Sequence, residues 1–146
     1  VNRLRALPCA LLLLLGATGA PQDQPAPAFV AVDVFVDVGA RRLAAWQVEI
    51  TLATGQLVGV EGGSDTAFAD APRYDPAALQ GGRVILAALA QDEALPTGRV
   101  RVARIHVMDE GPAPGACRVR GVVAADAAGD RIETADVEVR RIGDGR

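Results

Sequence analysis

The chain has no lysine, one serine, one histidine and few rings, and each shortage removes a class of function. All 15 basic residues are arginine, against 18 acids and a formal charge of −3. With alanine, glycine, valine and aspartate abundant, the missing lysine reflects a GC-rich genome more than chemistry. An acidic chain without a basic run, holding one Trp, one Tyr and three Phe, is a poor nucleic-acid binder. Ser64 and His106 are unique in the chain and invite a catalytic dyad. However, GGSDT lacks the closing glycine of a nucleophile elbow and the strand-to-helix setting that motif needs. His106 alternates with Ile105 and Val107, which turns it outward or to a sheet edge. A Ser64/His106 hydrolase is therefore a distant third reading. One histidine and so few cysteines cannot assemble a usual zinc set without carboxylates. Asp126, Asp130 and Asp136 fall close together, yet DAAGD lacks the alternating ligands of a calcium loop. Solvated acids on a turn explain it better. Nothing resembles a phosphate-cradling glycine loop. No metal, no cofactor and no enzymatic activity are expected.

What is present begins with a leader. Arg3 and Arg5 precede the apolar run ALPCALLLLL and the small residues GATGA, the three parts of a secretory signal. Val1 suits an alternative start codon and hence a bacterial gene. The run is shorter than the roughly 20 residues of a membrane span. Cys9 precedes the leucines, on the wrong side for a lipoprotein cysteine. Residues 1–20 are thus expected to be a signal peptide cleaved after Gly19 or Ala20, with an uncleaved anchor as the alternative. Cleavage leaves no stable membrane anchor. Residues 21–28, PQDQPAPA, read as a Pro/Gln/Ala linker. Residues 29–142 form one domain, and 143–146 a tail. Past the signal Cys117 is the one cysteine, and an internal disulfide needs two. Its strand position faces inward, as a small buried hydrophobe would.

Beyond the linker the period is two. Val30, Val32, Val34, Val36 and Val38 share one face, with Asp33 and Asp37 on the other. Trp46, Val48, Ile50 and Leu52 alternate with Gln47, Glu49 and Thr51. Such patterns mark strands with one buried face. Thr54-Gly55 supplies a turn from which QLVGV returns as a third strand. RVILAALA, residues 83–90, is nearly all apolar and suits a central strand covered on both sides. RVRVARIHV slips phase, so a bulge near Ala103 is required. Residues 117–125 and 131–140 make a last strand pair joined by DAAGD, with Gly129 in the left-handed turn. The spacing predicts an all-β two-sheet sandwich, jelly-roll or immunoglobulin-like, of about seven to nine strands. Trp46 plugs the space between the sheets, with a sugar-stacking platform as the alternative.

The segment EGGSDTAFADAPRYDPAALQGG, residues 61–82, is long for a connection, and such loops are often functional. Asp75-Pro76 should cap a short helical turn that Gly81-Gly82 ends. Asp65, Phe68, Asp70, Arg73 and Tyr74 combine acid, guanidinium and ring, as protein interfaces do. These five are the candidate interaction residues. The competing reading folds Phe68 and Tyr74 back over a sandwich edge.

The order VDVFVDVGARRLAAWQVEITL, GQLVGVEGG, PTGRVRVARIHV and AADAAGDRIETADVEV resembles a cohesin module, within the sandwiches shared with bacterial carbohydrate-binding domains. The resemblance spans roughly Val30 to Val139. It implies a nine-stranded jelly roll, an extracytoplasmic location and protein recognition, in cohesins of dockerins. No recognition residue carries over. The expectation is an exported, non-enzymatic module binding a dockerin-like or other extracytoplasmic protein, in the periplasm or outside the cell. A carbohydrate-binding module acting on polysaccharide is the alternative. Exposed coplanar rings would favour glycan, and a flat aliphatic sheet face would favour protein.

Overall fold

A computed structural model describes residues 26–91 and 94–142. The proposed signal, most of the linker and the tail lie outside the described residues. Seven strands form two antiparallel sheets packed as a sandwich: β1 (Ala28–Asp37), β2 (Ala45–Leu52), β3 (Gln56–Gly62), β4 (Arg83–Leu89), β5 (Arg99–Asp109), β6 (Cys117–Ala125) and β7 (Asp136–Arg141). The larger sheet runs β3-β5-β1-β7 and the smaller β4-β2-β6. Helical structure among the described residues is confined to two 3-10 turns, Thr66–Phe68 and Pro76–Gln80.

The valine phase of β1 is the floor of the core. Val32, Val34, Val36 and Val38 are buried against Val48, Ile50, Leu86, Ile105 and Val107. Trp46 is 3% exposed and meets the edge of Phe68 at 6.3 Å between ring centroids. Truncating so large a buried ring costs about 3–5 kcal/mol. The phase slip in β5 is a bulge: Val34 faces Ala103 while Phe35 faces Arg101, leaving Val102 between them. The consecutive residues Val102 and Ala103 can then both point a side chain into the core, and both are fully buried.

Three strand partners differ from the sequence expectation. β3 does not return along β2, whose two edges are occupied by β4 and β6. It crosses to the other sheet and pairs with β5. Gly55 makes that corner at φ +82, where a Cβ would lie 2.6 Å from the Met108 carbonyl. β4 is an edge strand, not a central one, and it is not covered on both sides, since half of its apolar residues face outward, with Ile85 and Leu89 exposed. β6 and β7 are not paired either. After the turn at Gly129 (φ +87) one bridge joins Ala125 to Arg131, Ile132 enters the core, and the chain crosses to pair β7 with β1. The last strand accordingly starts at Asp136, not Arg131.

One buried carboxylate fastens the end where β5 stops. Asp109 is fully buried and accepts hydrogen bonds from Thr54 Oγ1 (2.9 Å), Gly111 N (2.7 Å) and Gly115 N (3.0 Å). It therefore ties the β2–β3 corner to the loop after β5. Burial resists its ionisation, but the Gly111 amide, the Thr54 hydroxyl and the Gly115 and Glu110 amides outweigh burial and hold the carboxyl below its ordinary value.

Candidate functional site

The long segment between β3 and β4 is mostly a lid. Gly62 and Gly63 are required by close backbone contact, since Cβ atoms there would lie 1.9 Å from the Ala69 carbonyl and 2.4 Å from that of Arg101. Gly63 N donates to Phe68 O and Ser64 N to Arg101 O, which pulls the segment down onto the sandwich. Asp65 is spent as a cap, accepting from Ala67 N at 3.0 Å. Phe68 is driven into the core at 3% exposure, and Tyr74 packs half-buried against it. Asp75 caps the second turn through Ala77 N, with Pro76 at its start and Gly81 at its end. Of the five candidate residues, Asp70 and Arg73 alone are exposed.

Arg73 leads to a surface that the loop hypothesis did not single out. Its backbone exchanges two hydrogen bonds with Ala87 (2.8 and 3.0 Å), adding one bridge to the free edge of β4. Residues opposite one another share a face, so the outer face of the smaller sheet can be read in rows. Leu89, Ala45 and Ala125 form the first row; Ala87, Gln47 and Val123 the second; Ile85, Glu49 and Gly121 the third; Arg83, Thr51 and Arg118 the last. Leu89 is 68% exposed, and Val123 and Ile85 are exposed with it. Among them lies a shallow concavity of about 620 Å³, floored by Ala45, Ala87 and Ala125 and bordered by Leu89, Val123 and Arg73. The sequence signal was there, in the second apolar phase of RVILAALA and in the small residues Ala45 and Ala125.

The opposite face, on the larger sheet, is charge-balanced. Arg104 grips Asp33 through two hydrogen bonds (2.8 and 3.3 Å), and Arg101 lies 3.7 Å from the same carboxylate. The sequence placed Asp33 on the outer face, where this clamp buries it. Arg99 pairs with Glu138 at 2.6 Å and, with Arg140, flanks the Phe35 ring. His106 stacks on Phe29 at 5.6 Å and its Nε2 is 2.7 Å from Glu61 Oε1. Nδ1 has no partner among the described residues, so neither ring nitrogen bonds Ser64. His106 sits on β5, inside the sheet and facing out.

The remaining chemical residues are structurally engaged. Burial pushes the Cys117 thiol up to about 11, which leaves it a protonated, weak nucleophile. The Cys117 side chain is half-buried, less enclosed than an inward-facing position implies. Asp126 accepts from Arg41 and from the amides of Ala128 and Asp130, so its oxygens organise the turn at Gly129. Among the described residues no group of three or more His, Cys, Asp or Glu could hold a metal ion. No protein-family model matches the chain, and neither does any curated protein or solved structure.

Proposed function

We propose that this domain is an exported, non-enzymatic binding module, of cohesin-like type, that recognises another protein on the outer face of β4-β2-β6. The observation that supports this most is the apolar end of that face, where Leu89, Ala87, Ala45, Ala125 and Val123 surround a shallow concavity and Ile85 lies beyond. Gln47, Glu49, Thr51, Arg83 and Arg118 hold the polar positions of the four rows. An interface needs such an apolar centre with a polar rim, and Leu89 stands there 68% exposed. The rings argue against glycan. Trp46 and Phe68 are in the core, Phe35 lies between two guanidiniums, Tyr74 is half-buried, and exposed Phe29 is stacked with the His106 imidazole. Export rests on the basic and apolar pattern of residues 1–20, which is also why the partner is sought outside the cytoplasm.

The test uses the secreted protein itself. N-terminal sequencing should find a start near residues 20–21, and a photo-crosslinker at Leu89 should capture one protein from the native extracytoplasmic fraction. Leu89→Glu and Val123→Glu should each abolish capture competed by the unlabelled domain without lowering Tm appreciably. Capture unaffected by both changes, or binding to polysaccharide that neither change weakens, would sink the protein reading.

A further inference from the structure

The charges on this face are as unequal as its apolar residues are exposed. On β2, β4 and β6 together Glu49 is the one carboxylate, whereas Arg83, Arg118 and Arg120 are all exposed. Arg83 and Arg118 stand on either side of Thr51, and Arg120 occupies the bulge beside Gly121. Arg73 adds a fourth guanidinium at the border of the concavity. Glu49 cannot balance them. Its carboxylate is held by Arg83 at 2.7 Å, and that bond, with the fields of Arg83 and Arg120, outweighs burial and keeps the group ionised below the usual range. The side chains of Arg118 and Arg73 have no acceptor among the described residues. This excess sits in a chain whose net charge is −3, and it contrasts with the larger sheet, where Asp33 and Glu138 each answer a guanidinium.

The face is thus divided. One end offers Leu89, Ala87, Ala45, Ala125 and Val123; the other offers three guanidiniums, of Arg83, Arg118 and Arg120, against the single carboxylate of Glu49. We infer that its partner is a protein segment with an aliphatic ridge continued at one end by a cluster of carboxylates. Arginine suits the task because its planar fork can take a carboxylate through two parallel hydrogen bonds. A second copy docking through the same face fits poorly, since it would bring the same arginine excess. Opposite charge at such a rim acts chiefly on association rate and partner choice, while the apolar end holds the complex. This inference rests on the proposed docking role of the face.

A displayed library of amphipathic segments, with the residues flanking a leucine stripe varied among Glu, Gln and Lys, tests it. Selection against the wild-type domain, with subtraction on Leu89→Glu, retains only binders that use this face. Those binders should be enriched in Glu at one end. Their affinity should fall about tenfold between low and high salt, and comparably in Arg83→Gln/Arg118→Gln/Arg120→Gln, because the attraction is between exposed charges. Leu89-dependent binders with no acidic preference would overturn the inference and leave the docking role intact. A Leu89-dependent dimer of the domain would also overturn it. Failure to recover any Leu89-dependent binder would remove both.

Discussion

Asp109 shows how much one residue can organise when its polar atoms are all used. Its two oxygens meet donors from the β2–β3 corner and from the loop after β5. Removing the side chain leaves buried amides without acceptors, at about 1–3 kcal/mol for each group. Because its folded pKa lies below the ordinary value of 3.8, its ionised form contributes stability above that value, and the contribution is lost as pH falls through the lower folded pKa. Asp109→Asn should therefore be less stable than wild type at pH 7 by about 1–3 kcal/mol. The gap should narrow steadily below pH 3.8. Urea titrations of both proteins between pH 2 and pH 7 check this; a constant gap would mean the charge is irrelevant. None of this was legible beforehand, since an aspartate ending a strand reads as an ordinary turn residue. Trp46 was legible, because its own apolar neighbours at Val48 and Ile50 fix its side of the strand.

At the scale of the element, the long segment after β3 divides by burial. Its caps at Asp65 and Asp75 and its ring at Phe68 hold it down, leaving Asp70 and Arg73 at the surface. Phe68→Ala should cost about 3–5 kcal/mol through the cavity it opens beside Trp46, whereas Asp70→Ala and Arg73→Ala should each change stability by under about 0.5 kcal/mol. Equilibrium unfolding followed by Trp46 fluorescence measures all three, and a cheap Phe68→Ala would show that the lid is not fastened there. The sequence indicated this segment and its cap at Asp75, took Asp65 for an interaction residue, and left the rings between two readings. Composition places a phenylalanine near a surface loop; only the glycine-permitted contacts at 62 and 63 show that the chain turns inward. The face beside it was obscured for a related reason. An apolar run such as RVILAALA has the same residues whether its second side is covered by protein or presented to a partner.

The whole molecule follows one rule that no single stretch reveals: each strand lies in the sheet opposite to its predecessor. No strand pairs with its sequence neighbour. Period two states which side of a strand is buried, and it was right for β1 and β2, but it is silent on which strand lies alongside. Turn length does not help, because a three-residue corner such as Ala53–Gly55 reaches about 10 Å, the distance between packed sheets. The hairpin expected at Gly55 is an inter-sheet crossing for this reason, whereas at Gly129 the chain turns back for one bridge, Ala125 to Arg131, and crosses only before β7. When none of the seven described strands pairs with the next, a long loop must close before each ladder can form. Refolding from urea should accordingly show its main phase on the order of milliseconds to seconds. The rate should be the same by Trp46 fluorescence and by far-UV circular dichroism, since the strands and the core can only assemble together. A sub-millisecond dichroism phase carrying most of the strand signal ahead of the fluorescence change would mean that neighbouring strands pair early. The strict alternation would then be a late rearrangement, not the path by which the sandwich closes.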